Sequence, residues 1–494
     1  MAWLHGWCGL LLGWLLLVIC ITGTAAYYRD ELTLWMQPEW HGAVLEAPEQ
    51  ASAARTALAR LAHIAPAADS WIVDLPRQRM PVTGIAWSSS DGTRLAPGAG
   101  RPGGSFERAT LDGAGRLLPA ARETDGGGFF AVFHFTLHYL PVRWGRWIAS
   151  IAALGMLVAV VSGVIAHRRL FADFFTFRPG KGQRSWLDAH NAFGVLALPY
   201  QLMICYSGLV TLIFLTMPWA IDAAYPEGRN AYFAATLPQA PPAPPASGQA
   251  APLLDAAPLL AQAREYWQGA DAARLTLLRP HDAAARYIVQ RDEGGRLSNA
   301  RHSLVFDAAG KRVGGQELDA GAAAMVRTTL VGLHVGHFAT PWLRGLLFVM
   351  GLAACALTAT GLLLWTVKAR QRKVAPIGLH VAEGMNIATV AGLPAAMAVF
   401  LWLNRLLPAG LAGRAQWEID GFFIAWGAFA LIAMLRPGRS MWIAQLGAGC
   451  ALFASLALAD LAIGGGAGVI AGVDAGLLVL ACLLGWSAGR VARQ

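Results

Sequence analysis

Histidine is the residue type with the greatest capacity for chemistry in this sequence, and its distribution is uneven. There are 12 histidines in 494 residues, and eight of them flank long apolar segments. These eight are His5, His167, His190 and His380 at one end of the segments and His134, His138, His334 and His337 at the other. A single histidine at a helix end is usually an interfacial residue. A repeated set near a membrane interior indicates a function, because unpaired polar groups are costly there.

Two of the apolar segments begin with the same pattern. A histidine is followed four residues later by a glycine and seventeen residues later by a hydroxyl residue and a glycine, namely His5, Gly9 and Thr22-Gly23, then His190, Gly194 and Ser207-Gly208. Two further segments follow a Leu-His pair and end in a hydroxyl residue and a glycine, namely Leu137-His138 with Ser162-Gly163 and Leu333-His334 with Thr360-Gly361. The first four apolar segments therefore form a duplicated unit, in which each copy has a long extramembrane stretch between two segments.

The chemistry that fits this duplication is the binding of two b-type haems, each between two histidines. A low-spin haem takes one neutral imidazole from each face, so two helices must present a histidine at the same depth. The repeat places His5 and His190 at one depth and His138 and His334 at the other. The glycine one turn after His5 and His190 allows a flat macrocycle to approach the backbone. We therefore predict two haem b cofactors with these four histidines as axial iron ligands, and the sequence assigns no catalytic residue.

Three points about this site stay open in the sequence. The spacing does not decide whether His134 or His337 replaces its neighbour as a ligand. Arg146 and Arg344 follow the outer histidines and are candidate partners for haem propionates, although arginine at a helix end also serves as an interfacial anchor. A zinc or copper site is a weaker interpretation, because it would need histidines clustered with carboxylates or sulfur.

The composition shows which elements must position these histidines. The chain is 56% hydrophobic and only 14% charged, whereas a soluble domain has roughly 25% charged residues. A membrane span needs about 20 mostly apolar residues. The apolar runs of this kind are 4–27, 147–166, 189–215, 343–367, 385–407, 421–435, 441–463 and 468–486. The predicted fold is an all-α membrane protein of about eight transmembrane helices.

The formal net charge of +9 is explained by topology rather than by a nucleic-acid partner. Basic residues cluster after the second, fourth, sixth and eighth runs: Arg168, Arg169, Arg178, Lys181 and Arg184; Lys368, Arg370, Arg372 and Lys373; Arg436 and Arg439; Arg490 and Arg493. All four clusters fall on one side of the membrane if the N-terminus is cytoplasmic, as the positive-inside rule requires. Both termini are then cytoplasmic, and the lipid bilayer rather than nucleic acid is the expected surrounding.

Two outer segments, 28–146 and 216–341, are predicted as small α+β domains. Helical spacing occurs at 51–64 and 253–267, strand-like alternation at 70–75, 286–290 and 303–307, and a Pro- and Ala-rich, extended and mobile linker at 237–252. All six cysteines lie in the apolar runs, so disulfides are not expected to hold these domains together. The remaining organisation is helix one at 1–27, helices two and three at 147–215 with a cytoplasmic loop at 167–188, helix four at 342–367 and helices five to eight at 368–494.

The chain resembles the PepSY-associated transmembrane family, whose iron-regulated members include siderophore reductases. The motifs that carry the resemblance are His5-Gly-Trp-Cys-Gly9, Leu137-His138 through Gly145-Arg146, His167-Arg-Arg-Leu-Phe171, Thr176-Phe-Arg-Pro179, Ser185-Trp-Leu-Asp-Ala-His190, Leu333-His334-Val-Gly336 with Thr360-Gly361, and His380-Val-Ala-Glu-Gly-Met-Asn386. The resemblance implies PepSY-like periplasmic domains, a bacterial inner-membrane location and haem-dependent electron delivery to ferric siderophores. In the family's four-helix core the histidines match His5, His138, His190 and His334, whereas no ligand role is assigned to His167 or His380.

The predicted function is therefore that of an inner-membrane di-haem b oxidoreductase, which passes electrons from the cytoplasmic side to a periplasmic ferric siderophore in iron uptake. The repeat glycines do not stand in the G-x-G-x-x-G strand–helix context of a nucleotide site, so the electron donor is expected to be a separate cytoplasmic reductase or a membrane quinol. Two other functions stay open. One is a transporter for iron chelates whose repeats move about a central site, and the other is a non-enzymatic regulatory or binding protein acting through the PepSY-like domains.

Overall fold

A computed structural model describes the protein at residues 2–42, 49–88, 106–166, 171, 174, 178, 180–236, 244–316, 321–371, 378–462 and 466–493. Its helices are α1 Ala2–Ala26, α2 Arg29–Trp35, α3 Gln50–Ile64, α4 Gly128–Thr136, α5 Val142–Ala166, α6 Gln183–Leu196, α7 Leu198–Thr211, α8 Ile213–Thr216, α9 Pro218–Ala224, α10 Arg229–Thr236, α11 Ala256–Tyr266, α12 Gly321–Val335, α13 Pro341–Arg370, α14 Leu379–Ile387, α15 Leu393–Leu406, α16 Arg414–Leu435, α17 Arg439–Ala462 and α18 Val469–Ala492. Its strands are β1 Ser70–Asp74, β2 Thr83–Ser88, β3 Phe106–Leu111, β4 Ala272–Leu278, β5 Arg286–Arg291, β6 Ser303–Phe306 and β7 Arg312–Gln316. The residues singled out above that lie outside the described residues are His167, Arg168, Arg169 and Leu170, then Thr176, Phe177 and Pro179, then Arg372 and Lys373, and part of the predicted linker, 237–243.

Within the described ranges, seven helices are long and apolar enough to cross a membrane. They are Trp3–Ala26, Val142–Ala166, Pro341–Arg370, Leu379–Leu406, Arg414–Leu435, Arg439–Ala462 and Val469–Ala492. An eighth span results if α6 and α7, which meet at 66°, are counted as one. Pro199 stands in the first turn of α7, where its missing N–H and its ring favour a break in the helix. The prediction of a multi-pass membrane protein is confirmed, with its third span bent rather than straight.

Among the first four spans, α1 lies between α5 and α13. This helix contacts α4, α5 and α13, while α6 packs on α13, and α7 packs on α5 and α12. Small residues permit the close approach, as in membrane helix pairs generally. A Cβ atom on Gly13 of α1, for example, would lie 2.6 Å from the side chain of Leu362 on α13. The two copies of the duplicated unit are therefore interleaved, and each contributes helices to both ends of a shared core.

The two outer segments combine their strands into one antiparallel sheet of seven strands, in the order β3-β2-β1-β4-β5-β6-β7. The join is between β1 and β4, where Trp71 lies opposite Leu277 and Val73 opposite Leu275. All four side chains are buried in one core beneath α3 and α11. The helices predicted at 51–64 and 253–267 and the strands predicted at 70–75, 286–290 and 303–307 are confirmed as α3, α11, β1, β5 and β6.

The prediction of two separate α+β domains is not confirmed, because the strands of both segments share this sheet. By itself, the first segment would leave β1 as an edge strand, and the second would leave β4. An exposed edge carries a row of unpaired backbone N–H and C=O groups. Pairing β1 with β4 provides hydrogen-bond partners for both rows, and it makes the two copies of the duplicated unit depend on each other.

The sheet is attached to the membrane helices through Glu31 on α2. Arg79, between β1 and β2, donates to the two carboxylate oxygens of Glu31 at 2.8 and 2.6 Å and to the Tyr27 carbonyl at 3.1 Å. Arg344 of α13 donates to the same carboxylate at 3.0 Å. Removing one partner of such a buried cluster leaves an uncompensated charge, at a cost of about 3–5 kcal/mol. Glu31 therefore holds the sheet over the C-terminal end of α1.

The last four spans form a distinct part of the fold, here called the C-terminal unit (α14 to α18). Its first span is interrupted by a π-helical segment, Ala388–Gly392. Arg414 and Glu418 form a fully buried ion pair one turn apart on α16, and Asn404 donates to the same carboxylate at 2.9 Å. The unit packs against α2 and α4 through one continuous apolar cluster.

Candidate functional site

Two cavities lie between the first four spans, and histidines line both of them. The inner cavity, toward the N-terminal end of α1, has a volume of about 420 Å³ and is lined by His5 and His190. The outer cavity, toward the C-terminal end of α1, has a volume of about 390 Å³ and is lined by His134 and His334. Apolar cavities of this size with a few convergent polar groups are typical of cofactor sites.

In the inner cavity the rings of His5 on α1 and His190 on α6 lie close together and edge-on. Their centroids are 6.1 Å apart, and their planes are inclined by 69°. His5 Nδ1 lies 2.8 Å from the carbonyl oxygen of Ala159, and His190 Nδ1 lies 3.0 Å from that of Leu357. A carbonyl oxygen can only accept, so each Nδ1 must carry a hydrogen, and in a neutral imidazole this leaves the lone pair on Nε2.

The outer cavity repeats this arrangement with His134 on α4 and His334 on α12. Their ring centroids are also 6.1 Å apart, and their planes are inclined by 38°. His134 Nδ1 lies 2.7 Å from the carbonyl oxygen of Ile19, and His334 Nδ1 lies 3.1 Å from that of Ile204. Both rings are therefore also held with Nδ1 as the donor and Nε2 as the atom with the lone pair.

Both ring pairs have the separation expected for two imidazoles on opposite faces of one metal ion. A metal–imidazole bond is about 2 Å long and the ring centroid lies about 1 Å beyond the nitrogen, so two such centroids are about 6 Å apart. The observed separations are both 6.1 Å. Donation of the second ring N–H to a carbonyl is the usual support of a metal-bound histidine, because it fixes the tautomer and the ring orientation. The side chains present therefore fit an iron macrocycle held between two neutral imidazoles.

Each of the four histidine rings rests against a glycine of a neighbouring helix. The facing pairs, with the distance from a Cβ built on the glycine to the imidazole Cε1, are Gly163 with His5 (3.1 Å), Gly361 with His190 (3.0 Å), Gly23 with His134 (2.6 Å) and Gly208 with His334 (2.8 Å). In every case the carbonyl that accepts from Nδ1 lies one helical turn before the glycine. Each repeated pair of a hydroxyl residue and a glycine in the sequence therefore marks the helical turn on which one histidine ring packs. This glycine contact is called the seat of that histidine.

His138, predicted to pair with His334, lies outside the outer cavity. Helix α4 ends before this residue, and the backbone leaves it with a positive φ of 37° at His138 itself. The imidazole stacks on the ring of Phe423 in the C-terminal unit, with centroids 5.5 Å apart. The structure thus brings His134 against His334 in its place. His134 is still within the helix and faces α1, whereas His138 follows the turn that directs the chain toward α16.

The other histidines near the membrane take different positions. His337 lines the outer cavity, and its Nε2 lies 3.7 Å from a carboxylate oxygen of Glu293. Burial lowers the pKa of His337 to about 4, so the ring is neutral at neutral pH and this contact is not an ion pair. His380 Nε2 lies 2.7 Å from the Met434 carbonyl oxygen within the C-terminal unit.

The arginines around the outer cavity are not the ones that the sequence indicates. Arg344 is committed to the ion cluster that attaches the sheet, and it also donates to a carbonyl at 3.1 Å. Arg146 lies over the ring of Phe135, 5.4 Å from its centroid, and that ring lines the outer cavity. Arg29 and Arg79 line the cavity directly. The sequence pattern did not indicate Arg79 because this residue lies between β1 and β2. Only the tertiary fold brings that part of the sheet beside the membrane helices.

The inner and outer cavities share part of a wall. Leu16 of α1 and Met156 of α5 line both cavities, so at this point the wall is one side chain thick. Gln201 of α7 lines the inner cavity, and within the described part of the chain neither polar atom of its buried amide has a hydrogen-bond partner. A buried amide without a partner is costly. Gln201 is therefore positioned to bind a water or a polar group of a ligand in the inner cavity.

Comparison with known proteins gives two matches for this architecture. A family model described as the PepSY-associated TM region matches residues 2–368. An uncharacterized protein of Pseudomonas aeruginosa is 30% identical over 310 residues, which cover 60% of this chain and 76% of that protein. The family match includes the histidines of both cavities and ends close to the end of α13, before the C-terminal unit.

Proposed function

Because the chain belongs to the PepSY-associated transmembrane family, we propose that it is a di-haem b oxidoreductase of the bacterial inner membrane. It would pass electrons from a separate cytoplasmic reductase or a membrane quinol to a ferric siderophore in the periplasm. The observation that carries the proposal is the geometry of the two histidine pairs, each with ring centroids 6.1 Å apart and each ring seated on a glycine. A haem bound in each cavity would carry one electron at a time.

The residues of the chain contribute position and insulation. His5 and His190 would hold the inner haem, and His134 and His334 the outer one. The Nδ1–H bonds to carbonyls fix the tautomer and orientation of each imidazole and raise the basicity of its Nε2. The apolar walls exclude water, and the shared wall at Leu16 brings the two sites close enough for transfer between them.

The outer cavity is suited to deliver the electron to a substrate outside the membrane. Arg29 and Arg79 line this cavity on the side of the sheet, and the Arg29 side chain is 42% exposed. Guanidinium groups are good partners for the carboxylate or other anionic oxygens of an iron chelate. Reduction of bound iron(III) to iron(II) weakens its binding by hard oxygen donors, so iron would be released without cleavage of the chelator.

The first test is the colour of the purified protein and its reaction with a ferric chelate. We expect about two b-type haems per chain with a reducible spectrum, since each cavity has one pair of ligands. Prereduced protein mixed anaerobically with a ferric siderophore should reoxidise, and a ferrous trap should colour. The gallium(III) form of the same siderophore is the control, because gallium(III) is not reduced under these conditions. Colourless protein, or reduced protein that the ferric chelate leaves unchanged, would show that the proposal is wrong.

The orientation in the membrane is tested separately. We infer from the Lys and Arg clusters that both termini are cytoplasmic and that the sheet is periplasmic. A periplasmic reporter fused after Tyr232 is therefore expected to be active and a cytoplasmic reporter at the same point inactive. Fusions after Arg370, at the end of α13, should give the opposite result. The reverse pattern at both points would place the outer cavity and its histidines on the cytoplasmic side.

A further inference from the structure

The C-terminal unit lies outside the segment that the family model matches, yet it packs on the helix that carries His134. The matched segment ends at residue 368. The unit shares one apolar cluster with α2 and α4, which contains side chains of α15 to α18 together with Phe129, Phe130 and Phe133 of α4. These three rings are among the buried residues of the core. The last four spans therefore contact the helix that carries a histidine of the outer cavity.

The contact between α4 and the C-terminal unit is made of tilted and edge-on aromatic rings. The Phe129 ring centroid is 4.9 Å from that of Phe400 on α15, and the Phe133 centroid is 5.2 Å from that of Phe423 on α16. Residues four apart share one face of a helix, so Phe129 and Phe133 both face the unit. His134, the next residue, points about 100° further round the helix, where its Nδ1 reaches the α1 carbonyl at 2.7 Å.

The link between α4 and α5 is also held by the C-terminal unit. Leu137, His138 and Tyr139 have φ values of 57°, 37° and 41°, in the left-handed region that non-glycine residues rarely adopt. Such a conformation persists only where the surrounding structure enforces it. Here the Phe423 ring lies 5.5 Å from the His138 ring and 4.9 Å from the Tyr139 ring, centroid to centroid. The Tyr139 hydroxyl donates a hydrogen bond to the carboxylate of Asp420, also on α16.

We propose that the C-terminal unit is a clamp that sets the position of His134, with Phe423 as its central positioning residue. Helix α4 has only nine residues, and isolated helices of this length are marginal. On one side it is held by the hydrogen bond of His134 and by the seat at Gly23. On the other side it is held by Phe423, which packs against both α4 and the strained link. This inference rests on the proposed function for the meaning of His134 as a ligand.

The haem readout of this proposal compares two phenylalanines of the same unit. Phe423→Ala is expected to remove the outer haem, or to leave it with one axial ligand and a changed spectrum, while the inner haem keeps its absorbance. Phe423→Tyr keeps the ring and should restore the wild-type spectrum. The control is Phe453→Ala on α17, a ring of the same apolar cluster that is more deeply buried (3% exposed) than the partly buried Phe423. Equal effects of Phe423→Ala and Phe453→Ala on both haems would show that Phe423 contributes only to the stability of the whole protein. That result would overturn the clamp.

A second readout does not depend on haem. In Phe423→Ala, backbone amides of residues 128–139 should exchange hydrogen at least about tenfold faster than in wild type, because the contacts that close this region are lost. Exchange in α1 should stay unchanged, and Phe453→Ala should not accelerate 128–139. If Phe423→Ala does not accumulate, Tyr139→Phe provides the same test, since it removes only the hydroxyl that donates to Asp420.

The outcomes separate the clamp from the proposed function. Wild-type protein without haem would contradict the di-haem oxidoreductase, but the exchange rates of 128–139 would still decide whether the C-terminal unit holds α4. Unchanged exchange in the variants would overturn the clamp whatever the haem content. Faster exchange together with an unaltered outer haem would also overturn it, because the held segment would then not determine the position of His134.

Discussion

Replacing His134 with alanine is expected to remove the outer haem, whereas replacing His138 with phenylalanine is expected to leave it in place. The reason is geometric, since His134 faces His334 across 6.1 Å while His138 stacks on Phe423. Loss of one of two axial imidazoles leaves the iron without its ligand on that face. Haem content per chain and the reduced-minus-oxidised spectrum measure the result, and His134→Ala should retain about half of the haem if the two sites are independent.

The choice of variants makes this comparison specific. Phenylalanine at position 138 keeps an aromatic ring on Phe423 and removes only the imidazole nitrogens, so it tests ligation without disturbing the clamp. His334→Ala should match His134→Ala, and His5→Ala or His190→Ala should remove the inner haem instead. Outer haem that survives His134→Ala and disappears in His138→Phe would restore the pairing of His138 with His334 that the sequence predicts.

A single added methyl group at the seat of a histidine is expected to have an effect almost as large. In Gly23→Ala the new Cβ would lie 2.6 Å from the His134 ring, and in Gly208→Ala 2.8 Å from the His334 ring. Both distances are too short for non-bonded carbon atoms, so the imidazole must move away from its carbonyl partner. We expect loss or altered ligation of the outer haem in both variants, measured by absorbance and by the midpoint potential.

Two comparisons separate this steric effect from helix propensity. Replacing glycine with alanine in a helix interior normally stabilises the helix by about 0.5–1 kcal/mol. A loss of haem in these variants would therefore not be explained by helix propensity. Gly427→Ala in α16, where a Cβ meets nothing within 4 Å, is the matched control and should keep both haems. The seats of the inner cavity are less tight, at 3.1 Å for Gly163 and 3.0 Å for Gly361. Gly163→Ala and Gly361→Ala should therefore retain a larger fraction of the inner haem than the fraction of the outer haem that Gly23→Ala retains. The opposite order would contradict the steric role proposed for these glycines.

The attachment of the sheet gives the proposed reaction a structural basis at its outer end. Arg79 both lines the outer cavity and joins the sheet to Glu31 on α2. The same carboxylate accepts from Arg344, which begins the helix that also carries the seat of His190. The domain that would meet a chelate outside the membrane and the helices that enclose the two cavities are thus linked by one buried ion cluster.

The sequence by itself determined the features that depend on local composition and spacing. Long apolar runs identify the spans, because about 20 residues are needed to cross the hydrocarbon core. The four- and seventeen-residue spacings after His5 and His190 marked a duplicated unit, and the structure brings these two histidines together in the inner cavity. Two helices and three strands of the outer segments, α3, α11, β1, β5 and β6, were also predictable, since their periodicity reflects one buried face.

Only the tertiary structure decided which residues from different elements meet. His134 and His138 are one turn apart in sequence, and the choice between them depends on where α4 ends and on a positive-φ link that the C-terminal unit holds. The hydroxyl–glycine pairs were visible as a repeat, but each one seats a histidine that belongs to another helix. The pairing of β1 with β4 likewise joins strands about 200 residues apart, and no local pattern encodes the partner of an edge strand. Local periodicity fixes how one element is shaped, whereas the side chains that share a cavity are selected by packing between elements, which depends on the whole chain.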